Sequence, residues 1–136
     1  MAKVVRDNFN YLGIEFQRRL IIQILTDTRF AESIIDILSP NYFYDDHHKA
    51  IVAIIKDAHE VDNIIPDANS IEIRLSSKIT TDMHRSIAIK ELKHIQETSL
   101  HDSLEIQRMA MSFCKQQELK KSIKEIQTII DKGDID

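Results

Sequence analysis

Leu38-Ser39-Pro40-Asn41-Tyr42-Phe43-Tyr44-Asp45-Asp46-His47-His48-Lys49-Ala50-Ile51 decides how this chain is read. It reads as one helix ending, a turn, and another helix beginning. Ser39-Pro40 stops the first helix, because the residue before proline is pushed out of the α region and proline cannot continue the ladder. Phe43 and Tyr44 are large apolar plugs in the turn. Asp45 or Asp46 is a good N-cap for the helix that carries Ile51, Ile54 and Ile55.

The surrounding composition agrees with helices. Only two Gly and two Pro among 136 residues is too little punctuation for a β-sandwich or an α/β sheet. The many isoleucines favour strands, but their spacing is helical. Hydrophobic residues at 43% and charged residues at 29% are ordinary for a globular domain and exclude wholesale disorder. A single cysteine forms no internal disulfide, and no apolar run reaches signal-peptide or membrane-spanning length, so a cytoplasmic location is expected. The net charge of −4 argues against a whole-surface nucleic-acid binder.

Working outward, residues Gly13 to Thr26 form a first helix with Ile14, Leu20, Ile21, Ile24 and Leu25 on its apolar face. Asp27-Thr28 caps a second, from about Arg29 to Leu38. The third starts near Asp46 and runs to about Val61. A linker containing Pro66 leads to a short fourth helix, capped by Asp67 or Asn69, through Ile71, Ile73 and Leu75. Thr81 to Thr98 is a fifth helix, and a long one follows from about Asp102 to Asp131, with Gly133 as its C′ residue. The expected architecture is all-α. A compact four-helix head (1–79) is followed by a long helical hairpin (80–131) and then the start of a linker (132–136).

The hairpin carries more apolar residues than one partner helix can cover. Ile87, Ile89, Leu92 and Ile95 lie on one helix, and Leu104, Ile106, Met109, Met111 and Phe113 on the other. Leu119, Ile123, Ile126 and Ile130 continue with heptad-type spacing. A two-helix hairpin has too little core to order itself, so a third surface must complete it. On the residues alone, self-association and a fold-back onto the head both remain open.

Nothing in the chain looks catalytic. His47 and His48 are adjacent and point apart on a helix; His48 and His59 are separated by three turns. His84, His94 and His101 have no Cys or carboxylate pair at ligand spacing, so no metal site is expected. Cys114 has no catalytic histidine in its turn and reads as a small core or interface residue. Gly13 and Gly133 are isolated, and there is no Gly-rich phosphate loop with a following Lys. The cations Arg108, Lys115, Lys120, Lys121 and Lys124 make the last helix locally positive, a candidate contact for an acidic partner or a nucleic-acid backbone. A solvated helix face is the simpler account of them.

The pattern Leu-Ser-Pro-x-x-Phe-Tyr-Asp-x-x-His-Lys-x-Ile resembles the N-terminal domain of DnaB-type replicative helicases. Asn10-Tyr11-Leu12 through Ile21, Leu25 and Asp27 is similar to that family's first helix. Val61 through Ile64-Ile65-Pro66-Asp67 to Leu75 is similar to the stretch introducing its fourth, and the proline there is closer to phage versions. Leu119 to Ile126 with Gly133-Asp134-Ile135-Asp136 is similar to the second hairpin helix and the start of the linker.

The resemblance implies a non-catalytic domain whose hairpins pair and build a collar ring above the motor ring. That collar holds six subunits together and docks primase and, in some systems, a loader. Contact with DNA by this domain is expected to be weak or absent. ATP and Mg are expected only in a motor domain following Asp136, in a bacterial host cytoplasm if the source is a phage. By position, Pro40, Phe43, Tyr44, Asp45, His48 and Ile51 are structural head residues. Ile87, Leu92, Ile95, Leu104, Met111, Phe113, Leu119 and Ile123 are the self-association residues. The alternatives are the helicase-binding domain of a primase and a stand-alone helical adaptor.

Overall fold

The structure is a computed structural model that describes residues 7–133. The expected lack of a signal peptide rests largely on residues 1–6 and most of the expected linker on 134–136, which lie outside the described residues. Among the described residues there are six α-helices, two short 3-10 turns and no strand, so the chain is all-α. The helices are α1 (Gly13–Thr26), α2 (Thr28–Ile34), α3 (Asp46–Asp62), α4 (Ala68–Lys78), α5 (Asp82–Gln96) and α6 (Ser103–Asp131). The 3-10 turns, Phe9–Leu12 and Pro40–Tyr42, precede α1 and α3.

Local chemistry sets these boundaries. Gly13 has φ 86° and ψ 167°, a conformation essentially closed to other residues, and it turns the chain from the first 3-10 segment into α1. Asp27 closes α1 with its backbone and opens α2 with its side chain, which accepts the Phe30 N–H at 3.1 Å. The second helix ends at Ile34, about a turn earlier than the proline alone implied. Lys56 Nζ on α3 then donates to the Ile35 and Leu38 carbonyls, at 3.0 and 2.5 Å, a cation where a helix C-terminus leaves acceptors open. The Asp45 side chain accepts the His47 N–H at 2.7 Å and the His48 N–H at 3.4 Å, which fixes the start of α3. Asn63, left-handed at φ 57°, ends it. Asp67 caps α4 by accepting the Ser70 N–H at 2.8 Å.

Phe43, His48 and Ile51 are buried. Pro40 opens the second 3-10 turn. Tyr44 is not a plug: it is 66% exposed. Phe43 is in an extended conformation, so adjacent side chains point to opposite sides and burying one turns the other outward. The Tyr44 N–H instead donates to Gln17 Oε1 at 2.9 Å, tying the turn to α1.

α1 is the axis of the molecule, packing against α2, α3, α5 and α6. This corrects the expectation of a separate hairpin after residue 79. α5 and α6 each pack against α1, and little of either meets the other. Ala88, Leu92 and Ile95 from α5, with Ile106, Ala110, Phe113 and Cys114 from α6, belong to the same core as Leu20, Ile24, Phe43 and Ile55. Of the two arrangements the residues left open, the fold-back describes α5 and the first half of α6. Only the end of α6 stands clear, exposed at every residue from Leu119 to Gly133.

Candidate association and docking surfaces

α6 is apolar on two opposite faces. Ile106, Ala110, Phe113, Cys114 and Gln117 point into the molecule. Phe113 lies at the centre of an aromatic cluster, 4.7 Å from Phe9, 5.2 Å from Tyr42 and 6.3 Å from Tyr11 between ring centroids. Burial pushes the Cys114 thiol up to about 12, so at neutral pH it is a small hydrophobe and not a nucleophile. On the other side, Leu104, Arg108, Met111, Lys115 and Leu119 follow spacings of four, three, four and four, and Ile123, Ile126 and Ile130 carry that stripe to the helix end.

Polar contacts fix where α6 starts. Gln23 Nε2 donates to Ser103 Oγ at 2.8 Å, and Gln107 Nε2 donates to Gln23 Oε1 at 2.8 Å and Asp27 Oδ2 at 3.0 Å. The Phe30 N–H and then the Gln107 amide hold the Asp27 carboxyl below the usual carboxylate range. With α6 anchored at the corner between α1 and α2, its outer face and α2 enclose an open groove of about 800 Å³. Phe30, Leu104, Met111 and Leu119 give the groove a mostly apolar lining, and Arg29, Arg108 and Lys115 stand along it.

α5 is held by charge as well as by packing. The Arg18 guanidinium on α1 grips both Glu91 oxygens, Nε donating to Oε2 at 2.9 Å and to Oε1 at 3.3 Å and Nη2 to Oε1 at 3.0 Å. The fully buried His48 ring places Nε2 2.5 Å from Glu91 Oε2, while its Nδ1 has no hydrogen-bond partner among the described residues. Burial pushes the Glu91 carboxyl up, but Arg18 and His48 outweigh it and hold the group below its usual range. Glu91 raises the Arg18 pKa in turn. The sequence marked His48 as structural and missed Glu91, 43 residues away.

The expected self-association residues therefore divide. Leu92, Ile95 and Phe113 are buried in the chain's own core and cannot contact a second copy without unfolding it. Leu104 and Met111 line the groove. Ile87, Leu119 and Ile123 are exposed, as are Ile126, Ile129 and Ile130. The five cations do not form one strip. Arg108 and Lys115 border the groove, whereas Lys120, Lys121 and Lys124 surround a separate depression of about 360 Å³ with Asp7 and Gln117. Lys121 there sits 5.9 Å over the Tyr42 ring and 3.5 Å from Glu118. Among the described residues no three His, Cys, Asp or Glu side chains are gathered as a metal site. No helix among them is long and apolar enough to cross a membrane.

The DnaB-like helicase N terminal domain model matches residues 11–108. This chain belongs to that family. No curated protein matches it, and no solved structure does. The matched residues run from the first 3-10 turn through α5 and end in the second turn of α6. The DnaB-like span thus covers most of the packed domain, Glu91 and His48 included. Phe113 and the exposed distal stripe of α6 lie beyond it.

Proposed function

We propose that this chain is the non-catalytic collar domain of a hexameric replicative DNA helicase, joining subunits and docking a primase or loader. Family membership supports the helicase setting. The observation that carries the assembly role is the apolar stripe Leu119, Ile123, Ile126 and Ile130 on a helix end that none of the described residues covers. Ile87 on α5 is a further exposed apolar residue for such contacts.

Magnitudes bear on how strong this contact is. Burying each Leu or Ile side chain contributes roughly 1.5–3 kcal/mol. Association costs an estimated 4–15 kcal/mol in lost freedom. The stripe alone therefore gives weak, concentration-dependent pairing, and a collar built on it shares the work of holding six subunits with the motor ring. ATP and Mg act on that motor and not on this domain, and the working location is the cytoplasm.

Sedimentation velocity over a wide concentration range tests the reading, on wild type, Ile123→Asp and Ile126→Asp. Both positions are fully outside the core, so the variants stay folded. Wild type should form dimers or higher multiples that both variants reduce to monomers, because an unpaired charge in a buried contact costs several kcal/mol. A wild type that stays monomeric at all concentrations overturns the assembly role and favours a stand-alone helical adaptor.

A further inference from the structure

The groove between α2 and α6 has a chemistry that the distal stripe lacks. Leu104, Met111 and Leu119 from α6, with Phe30 from α2, make its floor apolar. From Leu104 to Leu119 the helix rises roughly 22 Å, about four turns, which is the length over which one partner helix can lie. Arg29 stands on the α2 side and Arg108 and Lys115 on the α6 side, against one lining carboxylate, Asp27, whose oxygens accept from the Phe30 N–H and Gln107 Nε2. Arg108 and Lys115 have no ion-pair partner among the described residues.

We infer that this groove receives an acidic amphipathic helix of a different protein, its apolar stripe on Phe30, Leu104 and Met111 and its carboxylates against Arg29, Arg108 and Lys115. This deepens the docking half of the proposed function and rests on that reading.

Charge decides against a second copy of this chain as the occupant. In a two-fold contact of this face with itself, Arg108 and Lys115 would meet like charges. The free end of α6 is no better suited: Glu118, Glu125 and Asp131 there are balanced by Lys120, Lys121 and Lys124. An apolar floor with cations on both walls matches an i, i+3, i+4, i+7 stripe flanked by Glu or Asp. A nucleic acid strand would find phosphate contacts but an aliphatic floor where stacking surfaces are needed.

The test uses the 136-residue chain and a helical peptide of about 16 residues with leucines on one stripe and glutamates elsewhere. A second peptide carries lysine for each glutamate, and a short thymidine oligonucleotide is the nucleic-acid probe. Binding is read by fluorescence anisotropy and mapped by NMR shifts, with sedimentation run in parallel. The glutamate peptide should bind at least about tenfold tighter than the lysine peptide. It should shift Phe30, Leu104 and Met111, and weaken about tenfold or more in Arg108→Glu/Lys115→Glu. Self-association of that variant should be unchanged.

Equal binding of both peptides, no binding, or tighter binding of the oligonucleotide overturns the inference. Loss of self-association in Arg108→Glu/Lys115→Glu without peptide binding would make the occupant a second copy. That outcome overturns the inference while sparing the collar reading.

Discussion

Phe113→Ala separates the observed fold from a protruding hairpin. Phe113 is 4% exposed and touches the Phe9, Tyr11 and Tyr42 rings. Truncating a buried Phe removes its burial and leaves a cavity that its neighbours only partly fill, typically costing about 3–5 kcal/mol. Three ring partners cannot all collapse toward one missing side chain, so the upper part of that range applies. Leu119→Ala, one and a half turns further along the same helix but 61% exposed, should change stability by under about 0.5 kcal/mol.

Urea unfolding at a concentration where the chain is monomeric provides the readout. With a slope of about 1–3 kcal/mol per molar urea, Phe113→Ala lowers the midpoint by roughly 2 M and Leu119→Ala barely moves it. Since domains hold only about 5–15 kcal/mol, Phe113→Ala can fall below the folding threshold. Phe113→Leu, costing about 1 kcal/mol, keeps the comparison measurable. A native-like midpoint in both Phe113 variants, with association lost, would refute the placement of Phe113 in the core.

Other positions give independent expectations. The Glu91 carboxyl is held below its ordinary value near 4.5, so its contribution is fully present above that pH and is lost as pH falls through the depressed value. Glu91→Gln should therefore destabilise by about 2 kcal/mol at neutral pH and progressively less below pH 4.5, seen as converging Tm values; a gap constant down to low pH would contradict it. Cys114, buried with its thiol pushed up to about 12, should react with a maleimide at pH 8 only as fast as the domain opens, and at once in denaturant. Asp45→Ala should cost about 1 kcal/mol through loss of the α3 cap, and Asp45→Asn much less, by thermal unfolding.

The local signals in the sequence were legible because they depend on near neighbours. Gly13, Asp27, Asp45, Asp67 and Gly133 mark helix ends through their own backbone or side chain, and each sits at an expected boundary. The covering of α5 and α6 was not legible. Periodicity showed an apolar face on Leu92, Ile95 and Phe113, but a face does not name its partner, and α1 lies some 80 residues earlier. A usable signal was the run of small residues Ala88, Ala110 and Cys114, which permits close approach of another helix and is wasted at a loose surface. Glu91 left no mark, because its partners Arg18 and His48 come from two other helices. The groove was equally hidden, since it needs α2 beside α6; of its lining residues the sequence singled out Leu104, Met111, Leu119, Arg108 and Lys115 on α6, and neither Arg29 nor Phe30 on α2.

Helix α6 is proposed to do two jobs, its first half packing into the domain and its free end pairing with a second copy. Hydrogen exchange along α6, measured at rising protein concentration, tests this most directly. Amides around Phe113 and Cys114 should exchange only by global opening at every concentration, while those from Leu119 to Ile130 exchange rapidly when dilute and gain protection as the chains associate. Protection of the distal residues that does not change with concentration would contradict it.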